Sequence, residues 1–97
     1  MKRQNINAEL VDKSSIPAFV FPKDDVLNSS EQKKDLQIKL RVATILGNLE
    51  KIKCKIIFRD NFNEKAVETT IWATCEKNII LKSGVFLPIN RIIDIII

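Results

Sequence analysis

The sequence has no histidine, no tyrosine, one tryptophan, two cysteines and two glycines in 97 residues. Each scarcity removes some chemistry. Without an imidazole there is no Ser-His-Asp or Cys-His catalysis, no histidine metal ligand and no usual general base. Two glycines, Gly47 and Gly84, are too few for either common phosphate-cradling loop. Cys54 and Cys75 form no CxxC pair, and with no histidine in the chain they do not suggest a zinc site. Both fall on strand positions expected to face a core, which predicts buried free thiols. The expectation is therefore no cofactor, no metal and no enzymatic activity. No apolar run approaches the ~18 to 20 residues that span a bilayer, and the opening MKRQNINAELVDKSS lacks the apolar stretch of a secretory signal. That predicts a cytoplasmic protein without a membrane partner.

What remains is a short, mildly basic chain. Its length suits one domain with a small core, so oligomerisation would add to a modest stability. Pro17 and Pro22, in IPAFVFPKDD, rule out a continuous helix near the start. Ile16, Phe19, Val20 and Phe21 are too apolar for a free linker. Residues 1–28 are read as an extended arm that packs across the domain or a partner subunit, with the first ~14 residues mobile. Within that arm Asp24 and Asp25 form a carboxylate pair, read as favourable charge ahead of a helix.

From residue 28 onward, NSSEQKKDLQIKLRVATILGN has a helix's ends. Asn28 with Glu31 and Ser29 with Gln32 have capping-box spacing, and Gly47 with Asn48 suits a left-handed C-cap. Leu36, Leu40, Ala43 and Gly47 form one stripe and Ile38, Val42, Ile45 and Leu49 another, read together as one broad apolar face. Leu36, Ile38, Leu40 and Val42 also alternate as a strand would, so two assignments compete over 36–45, and the two caps favour helix.

The rest reads as β. KIKCKIIFRD alternates, with Ile52, Cys54, Ile56 and Phe58 inward and Lys51, Lys53, Lys55 and Arg59 outward. AVETTIWATCE follows, with Val67, Thr69, Ile71, Ala73 and Cys75 inward and Trp72 outward. IILK, a tight turn at Ser83 and Gly84, VFLP, a 3₁₀ turn at INRI and a last strand in IDIII complete the chain. Arg91 and Asp94 have the spacing of a local salt bridge. The predicted fold is α+β: an arm and one helix, then a four- to five-stranded antiparallel meander closing into a small barrel.

The blocks LGNLEKIKCKIIF, VETTIWATCEKNIILKSG and LPINRI, spanning about half the chain from Leu46 to Ile92, resemble a family of short bacterial proteins of unassigned function. The strand through Gly84, the LPINRI turn and the final apolar strand are similar to the last two strands of Sm-like and SH3-like barrels. Among Sm-like proteins the chain also resembles, more faintly, the Rho-binding antiterminators, on fold and size alone. That resemblance implies a barrel and carries over no functional residue.

Charge is concentrated in one hairpin. Residues 51–65 hold Lys51, Lys53, Lys55, Arg59 and Lys65 against Asp60 and Glu64, which accounts for most of the net +4. If Arg59 pairs with Ala66, Trp72 lies opposite Lys53, and cations beside an aromatic plate can hold single-stranded RNA or DNA. The competing reading makes these ordinary solvent-facing lysines, with Glu68 placed to pair with Lys55 or Arg59 and Trp72 covered by the helix, the arm or a second subunit. Isoleucine on both faces of the last strand adds an argument for self-association as a dimer or larger ring. The leading expectation is a non-enzymatic module that binds an unidentified protein or its own copy through the arm, Trp72 and the C-terminal strand. Nucleic-acid binding through Lys51, Lys53, Lys55, Arg59 and Trp72 is the alternative.

Overall fold

The computed structural model describes residues 8–97. The protein is α+β, with one long helix, α1 (Ser30–Glu50), and seven strands: β1 (Glu9–Leu10), β2 (Cys54–Arg59), β3 (Glu64–Thr69), β4 (Ile71–Thr74), β5 (Asn78–Leu81), β6 (Val85–Pro88) and β7 (Ile92–Ile96). They form two hydrogen-bonded sheets, ordered β1-β3-β2-β7 and β4-β5-β6. No closed barrel is found among the described residues. β3 and β4 are separated only by Thr70, so the chain passes from one sheet to the other without a loop.

The helix settles the competition over 36–45. Ser29 Oγ accepts from the Gln32 amide at 3.0 Å, and Gln32 Oε1 accepts from the Ser29 amide at 3.4 Å, a complete capping box. The C-terminal end differs from expectation. Gly47 lies inside the helix, and the left-handed cap is Lys51, at φ 55° and ψ 34°. Gly47 serves close packing instead: a Cβ there would lie 2.5 Å from the Ile71 carbonyl oxygen of β4.

The arm packs on its own domain. β1 runs parallel to β3, an addition the antiparallel meander did not include. A 3₁₀ turn, Lys13–Ala18, holds Ile16 at 1% exposure in the core. Phe19 and Phe21 then flank Phe58 of β2, with ring centroids 6.3 and 6.0 Å away. The mobility expected of the first ~14 residues falls partly on residues 1–7, outside the described residues. Residues 9–14 form β1 and enter the 3₁₀ turn, and the Val11 amide donates to Ala66 O at 2.8 Å.

The core lies between the two sheets, α1 and the arm. It is built of Leu36, Leu40 and Ala43 from the helix and Ile56, Phe58, Val67, Ile71, Ile79, Leu81, Leu87, Ile92 and Ile95 from the strands. The expected turns are present: Ser83 and Gly84 both have positive φ, at 72° and 81°, and Ile89–Arg91 is a 3₁₀ turn leading into β7.

Arg91 does not pair with Asp94. Its side chain is buried and donates to Arg59 O, Asp60 O and Asp24 O, with Asp24 Oδ1 at 3.3 Å, while Asp94 takes Lys39 of α1 at 2.6 Å. The Asp24–Asp25 pair is likewise divided, because Asp25 binds Lys33 at 2.8 Å. These contacts cross between elements, which a spacing rule within one segment cannot anticipate.

Candidate interaction surface

The two apolar stripes of α1 are not one face. At ~100° per residue their centres lie about 160° apart. Leu36, Leu40, Ala43 and Gly47 are buried against the sheets, whereas Ile38, Val42, Ile45 and Leu49 are 62%, 42%, 49% and 77% exposed. The outer set recurs at intervals of four, three and four, the spacing of a seam that packs against a second helix.

Trp72 lies on the strand that packs against α1. It lies on β4 at 48% exposure, neither core nor fully covered. Two polar contacts hold β4 against α1. Asn48 Nδ2 donates to Trp72 O at 3.0 Å, and the Thr44 and Thr74 hydroxyls meet at 2.8 Å. The same Asn48 group also donates to Thr44 O, so Asn48 is fixed by the helix it belongs to.

The row of cations expected beside Trp72 has a different arrangement. The hairpin register pairs Arg59 with Glu64 and Cys54 with Thr69, not Arg59 with Ala66, and Trp72 belongs to the other sheet. The two-residue difference arises because the turn is shorter than supposed. Asp60 Oδ1 accepts from the amides of Phe62 and Asn63, closing the chain tightly enough for β3 to begin at Glu64. Lys51 is the helix cap, Lys53 lies exposed in the connector, and Lys55 is partly buried opposite Glu68. Arg59 binds Glu64 at 3.1 Å.

Ile57, on the face shared by Lys55 and Arg59, is fully buried, as is its partner Ala66. Ile52, expected inward, precedes β2 and is 36% exposed. Cys54 is buried, and burial pushes its thiol up to about 11. Cys75 is exposed, contrary to expectation, because β4 ends at Thr74 after a register shift between Ile71 and Ala73 that interrupts the alternation.

Two further features were not read from sequence. One is an open groove of about 710 Å³ between the arm, the start of α1 and the turns around Glu76 and Ile89, with Phe21, Leu27, Leu36 and Pro88 in its walls. The other is a buried ion pair, Lys65 with Asp60 at 2.9 Å. Burial opposes ionisation of Asp60, but the bonds from Lys65, Asn63 and Phe62 outweigh it and hold the carboxyl below its usual range. The Lys65 ammonium also lies 4.9 Å from the centre of the Phe19 ring. This cluster joins the arm to the first hairpin.

Among the described residues there is no group of three or more histidine, cysteine or acidic side chains placed to hold a metal, and no helix is long and apolar enough to cross a membrane. No family model, curated protein or solved structure matches the chain.

Proposed function

We propose that this protein is a non-enzymatic interaction module that self-associates through the outer face of α1. The observation that carries the reading is the seam of Ile38, Val42, Ile45 and Leu49, four large apolar side chains left exposed in one line. A monomer gains nothing from that arrangement, whereas a second helix laid along it removes the seam from water at roughly 25 cal/mol per Å² of apolar area. The lack of histidine supports the non-enzymatic part.

The underlying plan is an SH3-like or Sm-like barrel. Support comes from the β3–β4 run bent at Thr70, the meander through β5 and β6, the 3₁₀ turn before β7 and the pairing of β7 with β2. The test of self-association is sedimentation equilibrium over a wide concentration range, on the native chain and on Ile45→Lys. A native dimer that Ile45→Lys dissociates supports the proposal. A monomer at every concentration overturns it.

The second reading is a surface for single-stranded RNA or DNA. It rests on Lys51 and Lys53, both exposed, at the end of the helix that Asn48 ties to the strand of Trp72. It requires affinity that falls steeply with salt and is lost on reversing both lysines to glutamate. Binding indifferent to both changes removes it.

A further inference from the structure

Resting on the nucleic-acid reading and deepening it, we infer that single-stranded RNA or DNA stacks on the outer face of the β4-β5-β6 sheet, against Trp72 and Phe86. Alternation divides that sheet into two sides. Ile79, Leu81 and Leu87 are fully buried, whereas Ile80 and its cross-strand partner Phe86 take the opposite side, with Phe86 58% exposed. On β4 the register shifts between Ile71 and Ala73, so Trp72 is an added residue and Ile80 is opposed by Trp72 and Ala73 together. Ile71 is fully buried and Trp72 is exposed. One row across the sheet therefore runs from Trp72 through Ile80 to Phe86. With strands ~4.8 Å apart, the two aromatic residues stand about 10 Å from each other. Both ends of the row are rings, and every base of a single strand has a face to stack on them.

Charge names the occupant. Lys82 directly follows β5, and its amide donates to Thr70 O at 2.9 Å, so the ladder extends to it and alternation sets it on the side of Ile80. Lys53 directly precedes β2, whose first residue pairs with Thr69, which puts it level with the same Thr70. Trp72 is two residues further on. Both lysines are exposed, and neither binds a carboxylate among the described residues. Between Ile71 and Pro88 the one acidic residue is Glu76, in the turn at the far end of β4 and beside Lys77. Two exposed rings with unpaired cations at one end suit a polyanion that carries flat bases. An apolar protein anchor would use the rings and leave the cations without a role.

The test titrates the native chain with a fluorescein-labelled oligouridylate of about ten nucleotides, reading anisotropy and the emission of the lone Trp72. Binding should quench Trp72. Phe86→Leu keeps apolar bulk but removes the ring and should weaken binding about tenfold, whereas Phe86→Tyr should preserve it. Lys82→Gln should also weaken binding, and should lower the slope of log affinity against log salt by about 0.7. Both positions are on the surface, and unchanged circular dichroism verifies folding. An oligonucleotide that binds with steep salt dependence and is lost on reversing Lys51 and Lys53, yet leaves Trp72 emission unchanged and binds Phe86→Leu normally, would overturn the stacking face and leave the nucleic-acid reading standing. Equal losses in Phe86→Leu and Phe86→Tyr would overturn stacking as well. A chain that binds no oligonucleotide at low salt overturns both and leaves the row to a protein partner.

Discussion

The carbonyl oxygen of Ile71 occupies the space in which a side chain at position 47 would begin: a Cβ on Gly47 would stand 2.5 Å from that oxygen and 2.9 Å from Thr70 Cγ2. Here α1 lies close against the bend between the two sheets, and the nearest obstacle is backbone, which cannot rotate away. Gly47→Ala should therefore destabilise the protein by about 2 kcal/mol, although alanine favours a helix by up to ~1 kcal/mol. Urea unfolding checks this, and a stabilised variant would show that helix and strand separate more easily than the contact implies.

Acid should weaken the fold through Asp60. Its folded carboxyl titrates below the usual range, so the stability it contributes is fully present above the unfolded value of about 3.9 and is lost as pH falls through the folded one. Unfolding free energies measured from pH 7 down to 2 should decline below about pH 4, and Asp60→Asn should flatten part of that decline. At pH 7, Lys65→Met leaves a buried carboxylate without its cation and should cost about 3 kcal/mol.

Asn90 fastens the arm. Its side-chain amide lies within hydrogen-bonding distance of the carbonyls of Pro22, Lys23 and Asp24, at 3.4, 2.8 and 3.1 Å. Asn90→Ala should free residues 22–25 from the β6–β7 turn, raising the rate of limited proteolysis there and lowering stability by about 1 to 2 kcal/mol. Cleavage no faster than in the native chain would assign the arm's attachment to its other contacts, among them the Arg91 bonds to Asp24, the Val26 amide on Asn90 O and the packing of Ile16, Phe19 and Phe21.

The two thiols should react in sequence. Cys75 is exposed, whereas Cys54 is buried with its thiol pushed up to about 11. A thiol reagent at pH 8 should modify one cysteine per chain in the native state and the second only on unfolding. Two equivalents reacting at one rate would contradict the burial of β2.

The architecture was largely legible because its signals are local. Ser29 and Gln32 announce the helix start within four residues, Ser83 and Gly84 mark a turn by needing positive φ, and alternation in 54–59 locates β2. Several of the errors involve contacts between segments, while the first hairpin's register turned on the local Asp60 turn. Gly47 resembled a C-cap until the approach of Ile71 explained it, and the Arg91 and Asp94 partners lie far away in sequence. The site was missed for a related reason. Ile38, Val42, Ile45 and Leu49 were visible as a stripe, but which of two opposite stripes a domain buries depends on the partners it has, and sequence periodicity carries no record of that.

β7 completes its sheet by pairing with β2, a strand laid down much earlier in synthesis, with the whole β3–β6 meander between them. A growing chain therefore carries the outer edge of β2, Lys55 to Phe58, without its final neighbour until Ile96 has emerged from the ribosome. During that interval the edge is open to any other strand. A nascent chain halted before Ile92 should consequently be a client for chaperones, while one released past Ile96 should not.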